Sequence, residues 1–219
     1  MEVEMKAKIT LKQAIDLVDS KFGSSKWSIS RGGGWHAIAK KDEYYSFDGI
    51  VPVKPKTVIR LRTEASIGDT TSFEEIVQGQ VNSIKKDFQA FLTVKNKRTD
   101  ENGIETNDEF EGALQGEAFI AFNKVLEAAN FKTYFEKQKT SVSFWCEKNG
   151  HEIHCEIVNV NGIGPYLEVE AFVSESPTDM SEYETVEEAQ KTIKDFFKSS
   201  LKITKFDKRS WMQIIAEEK

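Results

Sequence analysis

The stretch Glu2-Val3-Glu4-Met5-Lys6 decides how the rest of this chain is read. A strand sends successive side chains to opposite faces, so Glu2, Glu4 and Lys6 share one face and Val3, Met5 and Ala7 the other. A single such strand is ordinarily the wet face of a sheet edge. The same pattern returns along the chain, and the repetition changes its meaning. Arg60 and Arg62, Lys95 and Lys97, Glu109 and Glu111, Lys137 and Lys139, and Glu168 and Glu170 are like-charged pairs two residues apart. Each lies in a strand-like run with apolar residues between or behind the charges.

Helices need an apolar sheet face to pack on. If the sheet closes on itself with helices outside, the charged faces point into a lumen. Like charges then crowd together in a partly desolvated space, which is costly unless a ligand compensates them. Carboxylate pairs suit Mg²⁺ or Mn²⁺, which bridge phosphate oxygens. The guanidiniums of Arg60 and Arg62 can grip the same oxygens bidentately. The two signs together point to a polyanion such as a triphosphate chain.

Composition narrows the classes. The chain has 219 residues and 15 Phe, enough for a sizeable core. A net charge of −6 argues against a nucleic-acid polymer as the partner. No apolar run reaches the length of a membrane span and the N-terminus lacks a secretory pattern, so a cytoplasmic protein without a membrane partner is expected. Cys146 and Cys155 flank a hairpin turn at Asn149-Gly150; two cysteines are too few for a disulfide scaffold and are expected as reduced, half-buried thiols.

Periodicity predicts helices over residues 10–22, 70–88, 113–130, 185–199 and 208–216, the first capped by Thr10 and the fourth by Thr185. In the third, Phe119, Phe122, Val125 and Leu126 are expected to face inward. Strands are predicted over 27–30, 35–39, 42–45, 57–64, 91–97, 107–111, 133–147, 151–160 and 162–172. Gly32-Gly33-Gly34 lacks the Lys-Ser/Thr of a phosphate loop and reads as a flexible hairpin turn. Trp35 and His36 are expected to pack in that hairpin. His151 and His154 have no Cys or His partner at metal spacing and are expected to face solvent.

With these motifs placed, the chain resembles the CYTH superfamily, the triphosphate tunnel metalloenzymes, over nearly its whole length. Glu2-Val-Glu-Met-Lys6 resembles the family's E-x-E-x-K, Asp42-Glu-Tyr-Tyr45 its D-x-Y-F, and Arg60-Leu-Arg62 its R-x-R. Leu92-Thr-Val-Lys95 resembles L-T-x-K, Glu109-Phe-Glu111 the E-x-E of R-x-E-x-E, and Lys137-Gln-Lys139 stands where the family has K-x-R. Gly162-Ile-Gly-Pro-Tyr-Leu-Glu-Val-Glu170 is similar to L-G-x-F-L-E-I-E, and Lys208-Arg-Ser-Trp211 to the closing K-S-Y helix.

The resemblance implies an α+β fold, a closed eight-stranded antiparallel β-barrel with helices packed outside. One domain would span residues 1–219, with an extra helical insertion at about 66–90. It implies metal ligation by Glu2, Glu4, Glu168 and Glu170, with Glu156 taking the place of an absent Asp. It implies substrate contacts from Lys6, Arg60, Arg62, Lys95, Lys137, Lys139 and Arg209. Lys6, Arg60, Arg62, Glu109 and Glu111 would be catalytic. Asn107 stands where the family carries Arg, and Lys139 where it usually carries Arg. The expected activity is a metal-dependent triphosphatase using Mg²⁺ or Mn²⁺ on inorganic tripolyphosphate or an organic or nucleoside triphosphate. The alternatives are a class IV adenylyl cyclase and a non-catalytic triphosphate-binding module. The cyclase ranks second because its H-F-F-Q-R-D-T-Y-F run is poorly reproduced around Ala37 and Lys40. A monomer or homodimer is expected.

Overall fold

Alternation in the sequence becomes a ring of strands in the structure. The computed structural model describes residues 1–22, 35–51, 57–68, 70–99, 105–174, 176–177 and 182–218. Its strands are β1 (Glu2–Lys8), β2 (His36–Phe47), β3 (Thr57–Ser66), β4 (Gln89–Thr99), β5 (Glu105–Leu114), β6 (Phe131–Lys148), β7 (His151–Val160), β8 (Ile163–Val173) and β9 (Glu182–Tyr183). The first eight follow the order β1-β5-β4-β3-β2-β6-β7-β8, and β8 pairs back to β1. Every pairing within the ring is antiparallel. The barrel is closed and leaves no edge of its own. The short β9 runs parallel to the end of β8, outside the ring.

The helices are α1 (Leu11–Phe22), α2 (Phe73–Val77), α3 (Glu117–Ala128), α4 (Val186–Phe196) and α5 (Trp211–Glu217), with a π-helical turn over Phe197–Leu201 extending α4. Their apolar sides explain why one face of each nearby strand is apolar. Val3, Met5 and Ala7 of β1, Val142 and Phe144 of β6, Ile153 and Ile157 of β7, and Leu167 and Val169 of β8 all point outward. They share one buried cluster with Leu17 and Val18 of α1, Phe73 and Ile76 of α2, and Ile193 and Phe196 of α4. Each large side chain buried there stabilises the fold by about 1.5–3 kcal/mol. Consequently the other face of those strands is left for the lumen.

Local chemistry sets the element ends. Thr10 and Gln13 cap α1 reciprocally, the Gln13 N–H donating to Thr10 Oγ1 (3.1 Å) and the Thr10 N–H to Gln13 Oε1 (2.9 Å). Thr185 caps α4, and Ser210 with Gln213 forms a capping box on α5. At the β6–β7 hairpin Asn149 and Gly150 both take positive φ, 56° and 81°, as a two-residue turn with two left-handed positions requires.

Four expectations need correction. The helix expected over 70–88 is confined to Phe73–Val77. Gly79 turns the chain at φ +75°, after which Ile84 bridges to Ile67 as extended backbone. The insertion is thus mostly non-helical: Phe73, Ile76 and Val77 enter the core, whereas Ile84 is 55% exposed. Second, α3 starts later than expected because β5 runs on to Leu114. Of its four residues expected inward only Leu126 is fully buried, and Val125 is 60% exposed. Third, Cys146 and Cys155 are free thiols but fully rather than half-buried, since both face the helix-covered core. Fourth, His151 and His154 are half-buried, not solvent-facing: His151 stacks on Tyr183 at 4.4 Å and His154 meets Glu170. The strand expected over 27–30 and the Gly32-Gly33-Gly34 turn lie outside the described residues. No helix among the described residues is long and apolar enough to cross a membrane.

Candidate functional site

Residues alternating with the outward core positions face the lumen, and each of the eight strands supplies charge there. Neighbouring strands carry the same sign. Glu156 of β7, Glu168 and Glu170 of β8, Glu2 and Glu4 of β1, and Glu109 and Glu111 of β5 form an acidic arc. Lys95 of β4, Arg60 and Arg62 of β3, Lys40 of β2, and Lys137 and Lys139 of β6 form a basic arc opposite it. Asp42 and Glu64 lie within the basic arc and Lys6 within the acidic one.

Ion pairs tie the two arcs together. Lys95 reaches Glu2 and Glu109, each at 3.0 Å. Arg60 donates to Glu109 (2.9 Å), Glu111 (3.2 Å) and Thr93 Oγ1 (2.9 Å). On the other side, Lys40 donates to Glu156 at 2.6 Å. Lys139 bridges Glu156 and Glu168, the latter at 2.6 Å. Glu168 also accepts the Trp211 indole N–H at 2.5 Å, which ties α5 to the lumen wall. Within the basic arc Arg62 grips Asp42 bidentately at 2.7 and 3.1 Å, and Lys137 stands 3.3 Å from the same carboxylate.

These contacts shift the acids in directions that follow from the geometry. Burial opposes ionisation of Asp42, yet Arg62 and Lys137 hold its carboxyl well below the usual range. Burial likewise opposes ionisation of Glu156, and Lys139 and Lys40 hold it well below. Lys139 is raised in turn: its burial is outweighed by Glu156 and Glu168.

A different chemistry occupies the junction of β8 and β1. One carboxylate oxygen each from Glu2, Glu4 and Glu170 lie within 4.8 Å of one another. Burial, then the nearby Glu170 carboxylate, pushes the Glu2 carboxyl up to about 9. Glu170 goes the other way, down to about 2, because His154 Nδ1 lies 3.0 Å from it and outweighs its burial. Three convergent carboxylates in a desolvated wall fit a hard divalent cation, which prefers oxygen ligands. Asn107, in register with Glu2, adds a second sign of an incomplete site. It is fully buried, and neither its amide oxygen nor its amide nitrogen has a hydrogen-bond partner among the described residues. Lys6, only 6% exposed, likewise has no ion pair or hydrogen bond to its ammonium among the described residues.

Of the five carboxylates expected to ligate metal, Glu2, Glu4 and Glu170 converge and Glu156 and Glu168 do not, since Lys139, Lys40 and Trp211 hold the latter two. Lys6, Arg60, Arg62, Lys95, Lys137 and Lys139 all face the lumen. Arg209 lies near the start of α5, with its guanidinium engaged by Asp207 (2.6 and 2.9 Å) and Glu217 (2.6 Å). To bind an anion it would have to give up those carboxylates. The sequence reading missed Lys40, Asp42, Thr93, His154 and Trp211 as site residues. Strand alternation marks Lys40 and Asp42 as one face of β2. Nothing local marks His154, and Trp211 was quoted in the Lys208-Arg-Ser-Trp211 stretch without a role, because the partners of both lie on other elements.

No family model matches the chain, and no curated protein matches it. Solved structures do match. A structure of the PH1819 protein from Pyrococcus horikoshii is 19% identical with a TM-score of 0.66, over 100% of both chains. A candidate adenylate cyclase from Vibrio parahaemolyticus is 11% identical with a TM-score of 0.61, over 98% of this chain and 97% of that one. HpAC1 from Hippeastrum, a candidate adenylyl cyclase with a dominant triphosphatase activity, is 12% identical with a TM-score of 0.57, over 100% and 97%. Along its whole length this chain therefore shares the closed-tunnel fold of these proteins, the fold expected from its resemblance to the CYTH superfamily.

Proposed function

We propose that this chain is a triphosphatase that holds its substrate's phosphates in the lumen, with Mg²⁺ or Mn²⁺ on Glu2, Glu4 and Glu170. The division of the lumen supports this most: a cationic arc faces a carboxylate cluster, and the buried Lys6 ammonium has no ion pair among the described residues. Lys6, Arg60, Arg62, Lys95, Lys137 and Lys139 offer donors to phosphate oxygens. Asp42, Glu109 and Glu156 already aim most of these cations inward, so they need little reorganisation to meet charge developing on phosphate. A divalent ion bound at the cluster would neutralise phosphate charge and act as a Lewis acid. Glu111 accepts from Thr93 (2.8 Å) and Arg60 through Oε2 alone. Its Oε1, without a partner among the described residues, is suited to orienting the attacking water.

The test is incubation with tripolyphosphate, ATP or thiamine triphosphate in Mg²⁺ or Mn²⁺, with phosphate and cyclic AMP measured together. Metal-dependent phosphate release is expected. Cyclic AMP and diphosphate from ATP would instead identify a cyclase. Tight triphosphate binding without product in either metal would identify a binding module, and either result contradicts the hydrolase.

A further inference from the structure

One hydrogen-bonded row of the barrel joins the carboxylate cluster to aromatic surface. Trp145, His154, Glu170 and Glu4 stand in register across β6, β7, β8 and β1. All four lie on the lumen side, because their neighbours Phe144, Cys146, Ile153, Cys155, Val169 and Met5 face the helix-covered core. Phe172, in register with Glu2, lies on the same side at the end of β8. The Trp145 ring is 5.1 Å from His154 and 6.3 Å from Phe172, tilted by 48° and 38°. Trp145 is 44% exposed and Phe172 36%, although His154 between them hydrogen-bonds a carboxylate of the cluster. Large aromatic faces are thus left open at the rim of a charged lumen.

The opposite end of β7 and β8 is closed. There Val158, Val160 and Tyr166 are buried with Trp211, Ile214 and Ile215 of α5. Of the two ends of β7 and β8, the Trp145 end, beyond Glu170 and Glu2, is therefore the one that α5 leaves open to a ligand whose phosphates occupy the lumen. A bare tripolyphosphate has nothing to place on the rings there. A planar base does, because any base offers a π-face to an indole or phenyl ring.

We propose that Trp145 and Phe172 form a stacking platform for the base of a nucleoside triphosphate, which binds with its phosphates inside the lumen and its base on this rim. The platform rests on the reading of the lumen as a triphosphate site and names the organic group that the site takes. His154 serves both parts: it backs the Trp145 ring and hydrogen-bonds Glu170.

Calorimetric titration in Mg²⁺ with tripolyphosphate and with the β,γ-imido analogue of ATP tests the platform by binding alone. Stacking on an aromatic ring predicts that Trp145→Ala weakens the analogue roughly 5- to 100-fold. Tripolyphosphate should change less than about twofold, since it has no π-face to lose. Trp145→Phe should restore most of the analogue's affinity. Phe172→Ala provides a second variant should Trp145→Ala fail to fold, as judged by circular dichroism. Equal wild-type affinity for the two ligands, or parallel losses of both in Trp145→Ala, would overturn the platform while leaving the triphosphate site intact. Failure of wild type to bind either ligand would instead remove the triphosphate reading, and the platform with it.

Discussion

Replacing Lys6 by methionine separates stability from ligand binding more cleanly than any other change in this lumen. Lys6 is only 6% exposed, and its ammonium makes no ion pair or hydrogen bond among the described residues. Removing an uncompensated charge from a buried position relieves a desolvation cost rather than breaking a pair. The stem, of similar length, keeps its packing. Unfolding free energy in urea should therefore stay within about 1 kcal/mol of wild type or rise. Binding should suffer in the opposite direction. A charge-assisted hydrogen bond to phosphate is worth about 1.5–3 kcal/mol, so Kd for tripolyphosphate should weaken about 10- to 150-fold. Calorimetry in Mg²⁺ and urea denaturation on the same preparations give both numbers. A Lys6→Met protein that is clearly less stable yet binds tripolyphosphate normally would refute the reasoning, because Lys6 would then be a structural cation.

Other positions give distinct outcomes. Asp42→Asn strips the counter-charge from Arg62 and Lys137 in a site where Asp42 is 1% exposed; breaking such a buried pair should cost about 3–5 kcal/mol, or roughly 6–20 °C in melting temperature for a chain this long. Since Asp42 is depressed in the folded state, its contribution is fully present above its unfolded value near pH 4 and is lost as pH falls through the lower folded value. Acid titration of stability should accordingly be flatter in Asp42→Asn than in wild type, and parallel curves would contradict the pairing. Trp211→Phe removes the indole donor to Glu168; hydrogen exchange in α5 should accelerate by about 10-fold or more, matching the loss of a hydrogen bond to a charged group. Unchanged protection would mean that apolar contacts alone hold that helix.

Much of this architecture was legible because a strand has a period of two. Alternation in Glu2-Val-Glu-Met-Lys6 and its counterparts assigned each side chain to one of two faces, and closure made one of those faces a lumen. Alternation does not say which residues on different strands share a row. That information comes from register, so the meeting of Trp145, His154, Glu170 and Glu4 was invisible, as was Glu170 joining Glu2 and Glu4 while Glu168 turned to Lys139. Spacing also misled where the chain changes partner surface. Phe73, Ile76, Val81 and Ile84 fit one helical stripe, but Gly79 reverses the chain and Ile84 ends on the protein surface. Arg209 fell within a family-like motif, whereas Asp207 and Glu217, which neutralise it, are unremarked acids in the sequence. Asp42 was quoted within a motif but assigned no role, although its place two residues from Lys40 put both on the lumen face.

The lumen as a site for phosphates and a divalent ion is tested most directly by crystals soaked with Mn²⁺ and tripolyphosphate. The account predicts an anomalous peak bounded by Glu2, Glu4 and Glu170, with phosphate density reaching Lys6 and the Arg60–Arg62 wall. Manganese bound only at surface carboxylates, with no anion among the lumen cations, would contradict it.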